Sequence, residues 1–311
     1  MVRAGFHTPH CVKWPRSQGR LMGAPETVLI TGGTDGLGRA AALLLAEKGY
    51  RVVAAGRSLK KRADLERVAA ERKLPIETME LDVCDDGSVQ RAVQSVLQNS
   101  SAIDVLINNA GVGYMAVVEE LKLEDLRKQF ETNVFGMLRV TQAVLPHMRE
   151  RRSGRILMMS SVAGIVTPPA YGAYSSSKHA LEALSNALRL ELYPFGVDVI
   201  LIEPGYIRTN FQHTAKELAQ PYLEAATSSP YAKVYSGSFE GASKSRGESK
   251  TTPEDCARVI LEAVEAAHPK ARYLVTSLAK WVAFAKRALP DTFLDSFLRK
   301  KFGITREEPE E

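Results

Sequence analysis

Three cysteines in 311 residues, Cys11, Cys84 and Cys256, are scattered, odd in number and set in no C-x-x-C pair or Cys/His cluster. Neither a disulfide framework nor a zinc site fits that usage, and no metal is expected. A reducing, cytoplasmic compartment follows as the expectation. Long hydrophobic runs are missing too. The longest purely apolar runs, such as Ala40–Ala46, fall far short of the ~20 residues of a membrane span. Acidic residues are absent from residues 1–21, which carry Arg3, Lys13, Arg16 and Arg20. Those four account for most of the formal charge of +5, since without them 37 bases face 36 acids. The body has no basic stripe to neutralise phosphates, so nucleic-acid binding is not expected. Residues 1–21 also lack periodicity and the apolar region of a secretory signal. They read as a disordered tail or an upstream start, with Met22 as initiator just before the first strand. A transit peptide is the less favoured reading.

What is present is the balance of an ordinary globular protein, 45% hydrophobic and 25% charged, long enough for one large α/β core. From Thr27 short apolar strands alternate with amphipathic helices. Strands are read at Val28–Ile30, Arg51–Ala55, Ile76–Val83, Val105–Asn108, Arg155–Ser160, Asp198–Ile202 and Tyr273–Thr276. Helices are read at Arg39–Lys48, Ser58–Glu71, around Val89–Leu97, at Leu123–Arg149 and at Tyr174–Tyr193. Such alternation predicts a doubly wound, mainly parallel seven-stranded sheet of Rossmann type, covered by helices on both faces. No repeat and no interdomain linker interrupts residues 22–311, which read as a single domain. Ligands of this architecture bind at the carboxyl ends of the strands, where every motif below falls.

The turn Thr31-Gly32-Gly33-Thr34-Asp35-Gly36-Leu37-Gly38 follows the first strand and opens the first helix. Glycines there let the backbone approach a pyrophosphate, which the helix N-terminus favours. The spacing is Gly32-x-x-x-Gly36-x-Gly38, not G-x-G-x-x-G. An acid at the end of the second strand would suit the ribose hydroxyl of NAD, whereas Gly56-Arg57, with Lys60 and Lys61 behind, suits a 2′-phosphate; the expected cofactor is NADP(H). Asp82-Val83 ends the third strand, Asn108-Asn109-Ala110-Gly111 the fourth and Ser160-Ser161 the fifth. Pro204-Gly205 ends the sixth, ahead of Ile207 and Thr209. Asn133 stands inside a helix, where asparagine has poor propensity, and so invites a role for its amide. Tyr174 and Lys178 lie one turn apart on a helix face. An ammonium beside a phenol favours the phenolate, so a lowered Tyr174 pKa is expected.

In order along the chain, from about Glu26 to Thr209, these motifs resemble the short-chain dehydrogenase/reductase family. The resemblance implies a catalytic tetrad of Asn133, Ser161, Tyr174 and Lys178. Tyr174 would move the proton of the carbinol or carbonyl oxygen and Ser161 would hydrogen-bond the same oxygen. Lys178 would hold the nicotinamide ribose, and Asn133 would anchor a water. Asp82 and Val83 would hold the adenine, Asn109, Ala110 and Gly111 would line the groove, and Pro204, Gly205, Ile207 and Thr209 would lie near the carboxamide. The expected activity is an NADP(H)-dependent interconversion of a secondary alcohol and a ketone. Stretches such as Asn133–Gly136 and Tyr174–Leu181 look most similar to the hydroxysteroid and retinol dehydrogenase branch, which implies a bulky apolar substrate. A non-catalytic cofactor-binding sensor or scaffold is the alternative, against which the intact tetrad speaks. A homo-oligomer is expected.

Tyr171 reads as pocket wall or surface and not as a second acid, His179 as structural, and His213 and Tyr222 as candidates for the substrate pocket. Residues 210–250, with a Gly/Ser/Lys-rich patch from Ser236 to Lys250, read as a mobile flap over the site. Thr252, Pro253 and Asp255 form a capping-box-like start for the helix beyond. In the tail, 278–302, Phe293, Leu294, Phe297 and Leu298 recur at helical spacing. The favoured expectation is that this stripe covers the pocket or packs on a neighbouring subunit. An interfacial helix on a membrane surface is the less favoured one.

Overall fold

In β1 (Thr27–Thr31) the alternation of the strand sends Val28 and Ile30 to one face of a sheet and Leu29 to the other. The computed structural model describes residues 25–306, so the expectations for residues 1–21 and Met22 lie outside it. Six further strands join β1: β2 (Arg51–Ala55), β3 (Ile76–Met79), β4 (Val105–Asn108), β5 (Gly154–Met159), β6 (Val197–Glu203) and β7 (Arg272–Leu274). All pair in parallel, in the order β3-β2-β1-β4-β5-β6-β7. This is the doubly wound arrangement expected, with the order reversing between β1 and β4.

Each face of the sheet is covered by helices. Val28 and Ile30 pack with Ala41 and Leu45 of α1 (Gly36–Glu47), and α9 (Pro253–Glu265) adds Ile260. On the other face Leu29 and Val53 meet Val89 and Val93 of α3 (Asp86–Asn99), Val144 of α5 (Met137–Arg151) and Leu181 of α6 (Gly172–Leu192). The charged α2 (Leu59–Arg72) buries only Leu65 and Ala69, and Ser58 caps it. At α9, Thr252 and Asp255 form the capping box the sequence suggests, with Pro253 leading.

Three expectations need correction. The helix expected over Leu123–Arg149 is broken: α4 (Leu123–Phe130) runs into a π-turn at Glu131–Gly136 before α5 begins. Asn133 lies in that turn, and such turns re-aim side chains that a regular helix would point elsewhere. Residues 210–250, read as a mobile flap, fold into two helices, α7 (Phe211–Ala225) and α8 (Ala232–Glu248). Tyr222 and Tyr235 anchor them: the Tyr222 hydroxyl donates to Asp125 Oδ2 and accepts from the Lys122 amide, and Tyr235 bonds Glu120 and the Val117 amide. Two glycines of α8 make room for a neighbour. A Cβ at Gly241 would lie 2.6 Å from the Phe302 ring, and one at Gly237 would lie 2.0 Å from the Phe302 carbonyl oxygen. Finally, the tail forms two helices, α10 (Ser277–Ala288) and α11 (Asp291–Lys301). Its stripe is divided: Leu294 is buried and Phe297 stacks near Trp281 at 4.9 Å, while Phe284 and Phe293 remain exposed. No described helix is long and apolar enough to cross a membrane.

Candidate active site

A cavity of about 560 Å³ runs along the carboxyl ends of the strands, from Arg57 at one end to Tyr174 and Lys178 at the other. The catalytic and cofactor-binding candidates singled out from the sequence line it, except Gly38 and Asn133, whereas the substrate-pocket candidates His213 and Tyr222 do not. Gly38 acts from behind. A Cβ there would sit 2.3 Å from the Gly32 carbonyl oxygen and 2.5 Å from Asn109 Nδ2, so the start of α1 packs on the turn without space for a side chain. Gly32 itself holds φ +62, the left-handed region that disfavours other residues. The turn thus presents backbone, not side chains, to the cavity at a helix N-terminus, a shape that fits a pyrophosphate.

The groove is fastened from both sides. Asn109 Nδ2 donates to the carbonyls of Thr31 and Gly32 at 3.1 and 3.0 Å, joining the ends of β1 and β4. The Thr31 hydroxyl accepts from the amides of Asn109 and Ala110. Thr31 heads the glycine turn in the sequence, but no role of its own was expected for it. Asp35 caps Gly36 and also takes hydrogen bonds from Lys61 (2.5 Å) and Asn210 (3.0 Å). Burial acts upward on its carboxyl, but these bonds outweigh burial and hold its pKa below the ordinary value. Arg57 projects into solvent beside Asp82, 3.6 Å away, and no acid occupies the end of β2.

At the far end Ser161 caps the turn Val162–Gly164 through its hydroxyl. Burial pushes the Tyr174 phenol up to about 12, a hydrogen bond with Ser161 opposing it. This reverses the expected lowering. The Lys178 ammonium lies 5.7 Å from the Tyr174 ring centroid and donates to the Met159 carbonyl at 2.7 Å, so it does not offset the lost hydration of the phenol. Lys178 is itself buried, and burial lowers its pKa to about 8 against the charge of Glu182.

Asn133 is fully buried behind this end. Its Oδ1 accepts from the Val112 amide at 2.9 Å, and its Nδ2 donates to the Val112 carbonyl and the Ser177 hydroxyl. Gln129, one turn earlier, repeats the pattern with the Tyr114 amide and the same Val112 carbonyl. The i,i+4 spacing of two buried amides was its readable signal. Tyr171 lines the cavity as expected, and His179 is tied to the Ser175 carbonyl of its own helix. His213 and Tyr222 do not line it: His213 is exposed beside Glu217, and Tyr222 anchors α7. Sequence reading missed Met115, Val162, Tyr206 and Phe211, which wall the cavity near Tyr174. No group of three or more potential metal ligands occurs among the described residues.

Comparison with known proteins places this geometry. The family model "short chain dehydrogenase" matches residues 26–219. Retinol dehydrogenase 8 of Bos taurus is 35% identical over 80% of this chain and 81% of its own length. An NADPH-dependent 3-dehydrocapnine reductase of Ornithobacterium rhinotracheale is 32% identical over 88% of this chain and 95% of its own. Among solved structures, a short-chain dehydrogenase from Streptomyces avermitilis superposes with a TM-score of 0.72 at 28% identity, covering 91% of this chain and all of that one.

Proposed function

The chain belongs to the short-chain dehydrogenase/reductase family, and on that premise we propose that it is an NADP(H)-dependent oxidoreductase that interconverts a bulky apolar secondary alcohol and its ketone. The observation that carries the reading is one continuous cavity with the Ser161–Tyr174–Lys178 group at one end and Arg57, without an acid, at the other. The residues present fit the cofactor: the Gly32–Gly38 turn for the pyrophosphate, Asp82 and Val83 for the adenine, Arg57 and Lys61 for a 2′-phosphate, and Lys178 for the nicotinamide ribose. Asn109–Gly111 and Pro204–Thr209 would wall the groove between. When bound, the nicotinamide supplies or accepts the hydride.

The protein's own part is positioning and proton transfer. Ser161 donates a hydrogen bond to the substrate oxygen and orients it towards Tyr174. Tyr174, protonated at neutral pH, gives its proton to that oxygen in the reductive direction and recovers one in the oxidative direction. Asn133 holds Val112, and with it the cavity wall. Met115, Val162, Tyr206 and Phe211 keep water from the reacting oxygen. Beyond Tyr174 this wall carries no charged side chain, which suits an apolar substrate; retinol dehydrogenase 8 is a relative whose name points to one.

The test is NADPH oxidation by purified protein against ketones graded in size and polarity, with the matching alcohols and NADP+ in reverse. Turnover that rises with apolar bulk is expected. No turnover with any pair would overturn the reading.

A further inference from the structure

One helical turn beyond Lys178 begins a second acid–base cluster, two buried carboxylates held by a partly exposed arginine. Glu182 follows Lys178 at i+4 on α6, so both side chains lie on the same helix face, and both are buried. Glu203, the last residue of β6, is 1% exposed. Arg272, the first residue of β7, joins the two carboxylates: its Nη1 donates both to Glu182 Oε2 and to Glu203 Oε1. Its Nη2 donates to Asn186 Oδ1 at 3.2 Å, one turn further along α6. One guanidinium therefore ties together the helix of Tyr174 and Lys178 and the strand that ends at Pro204-Gly205.

Glu182 also reaches the loop of Ser161. A Cβ placed on Gly164 would lie 3.1 Å from Glu182 Cγ, 3.3 Å from its Oε1 and 2.8 Å from Ser160 Oγ. Glu182 and Ser160 fill the space that a side chain at position 164 would need. The acid is thus wedged between the helix of the Tyr/Lys pair and the serine turn. A charged residue is seldom so buried without a purpose that its partners satisfy.

We propose that Glu182, the buried acid one helical turn from the catalytic amine, is a positioning residue for Lys178, and that Arg272 and Glu203 fix its carboxylate in place. This rests on the assignment of Lys178 to the reaction. The groups that face Glu182 are Lys178 and Asn186 from α6, Glu203 from β6, Arg272 from β7 and Ser160 from the end of β5. Burial drives Lys178 towards the neutral amine, and Glu182 is the charge that opposes it. Burial and the charge of Glu182 push Glu203 well above the ordinary carboxylate range, and Arg272 acts downward on it. A Glu203 carboxyl that keeps its proton hydrogen-bonds Glu182 and leaves the charge of Arg272 to Glu182 alone. Without that arrangement the amine would enter neutral pH partly uncharged, with a weaker hold on a ribose hydroxyl.

The substitution Glu182→Gln keeps the shape and an acceptor for Arg272 while removing the charge. Competitive labelling with acetic anhydride across a pH series, read by peptide mass for the Lys178 peptide, gives the protonation midpoint of the amine without substrate or cofactor. That readout stays valid even if no ketone proves to be a substrate, so its failure is separate from failure of the oxidoreductase reading. Loss of an opposite charge at this range should lower the midpoint by about one pH unit. Glu182→Asp keeps the charge, set back by one methylene, and should fall between wild type and Glu182→Gln. If Glu182→Gln does not fold by circular dichroism, the Glu182→Asp midpoint alone decides, and it should lie below that of wild type. Midpoints equal to wild type in the folded variants would overturn the proposal and leave Glu182 a purely structural residue.

Discussion

Replacing Arg57 by alanine should weaken the protein's hold on a cofactor 2′-phosphate without abolishing it. Arg57 stands just past β2 with 68% of its side chain exposed, and its neighbour Asp82 is 3.6 Å away. An exposed pair at that distance contributes about 0–1 kcal/mol, so exchanging Asp82 for a phosphate costs little. A charge-assisted hydrogen bond is worth roughly 1.5–3 kcal/mol, and solvent screening places this one at the low end. The net is about 0.5–1.5 kcal/mol, or roughly a 2–13-fold rise in Kd for NADPH. Lys61 remains as a second cation, held by Asp35, and limits the loss. NADH lacks the phosphate and should bind nearly as before. Fluorescence titration of each cofactor into wild type and Arg57→Ala measures both numbers at one fixed ionic strength, since salt screens an exposed charge. Arg57→Lys should restore only part of the affinity, because a point charge lacks the planar fork. Equal loss for NADPH and NADH, or no loss for either, would refute the assignment of Arg57 to the phosphate.

Tyr174→Phe should keep cofactor affinity and lose at least ~10²-fold in kcat, the usual contribution of a positioned acid; near-wild-type turnover would sink the mechanism. Gly38→Ala should abolish cofactor binding or lower Tm sharply, since its Cβ would meet the Gly32 carbonyl oxygen at 2.3 Å; isothermal titration and a melting curve separate the two. For pH, Glu203 is a carboxyl whose folded-state pKa lies above its unfolded value. Its contribution to stability is present below the unfolded value and is lost as pH climbs through the folded one. The Tm of wild type minus that of Glu203→Gln should therefore decline as pH rises from about 5 to about 8. A constant difference across that window would contradict the burial assigned to Glu203.

The parallel sheet was readable because a strand buried on both faces must be apolar at nearly every position, as in Val105-Leu106-Ile107. The glycine turn and the Tyr174/Lys178 pair were readable for a related reason: few other residues satisfy the local geometry. Residues 210–250 were misread because local propensity and tertiary packing disagree there. Glycines and serines weaken a helix in isolation. In α8 two of those glycines instead admit Phe302, and the hydroxyls of Tyr222 and Tyr235 fasten the α7–α8 layer to residues roughly a hundred positions earlier in the chain. No window of sequence holds both halves of such contacts. The π-turn at Glu131–Gly136 was hidden likewise, because its periodicity differs from a helix by one residue in a single turn. The reversal at Tyr174 has another origin. The pairing with Lys178 was visible in the sequence, but the depth of burial that overrides it is a property of the folded packing.

The seat of Phe302 has a mechanical consequence. Phe302 presses on α8 at Gly241; the next residue, Ala242, packs with Ala215 and Ala219 of α7, and that cluster takes in Phe211 and Tyr174. Phe211 and Tyr174 are themselves in ring contact at 5.6 Å. The segment around residue 302 and the Tyr174 phenol are thus opposite ends of one short stack of side chains. A load applied at that segment, such as a bound neighbour, would reach the cavity wall at Phe211 and Tyr174 without passing through the Gly32–Gly38 turn.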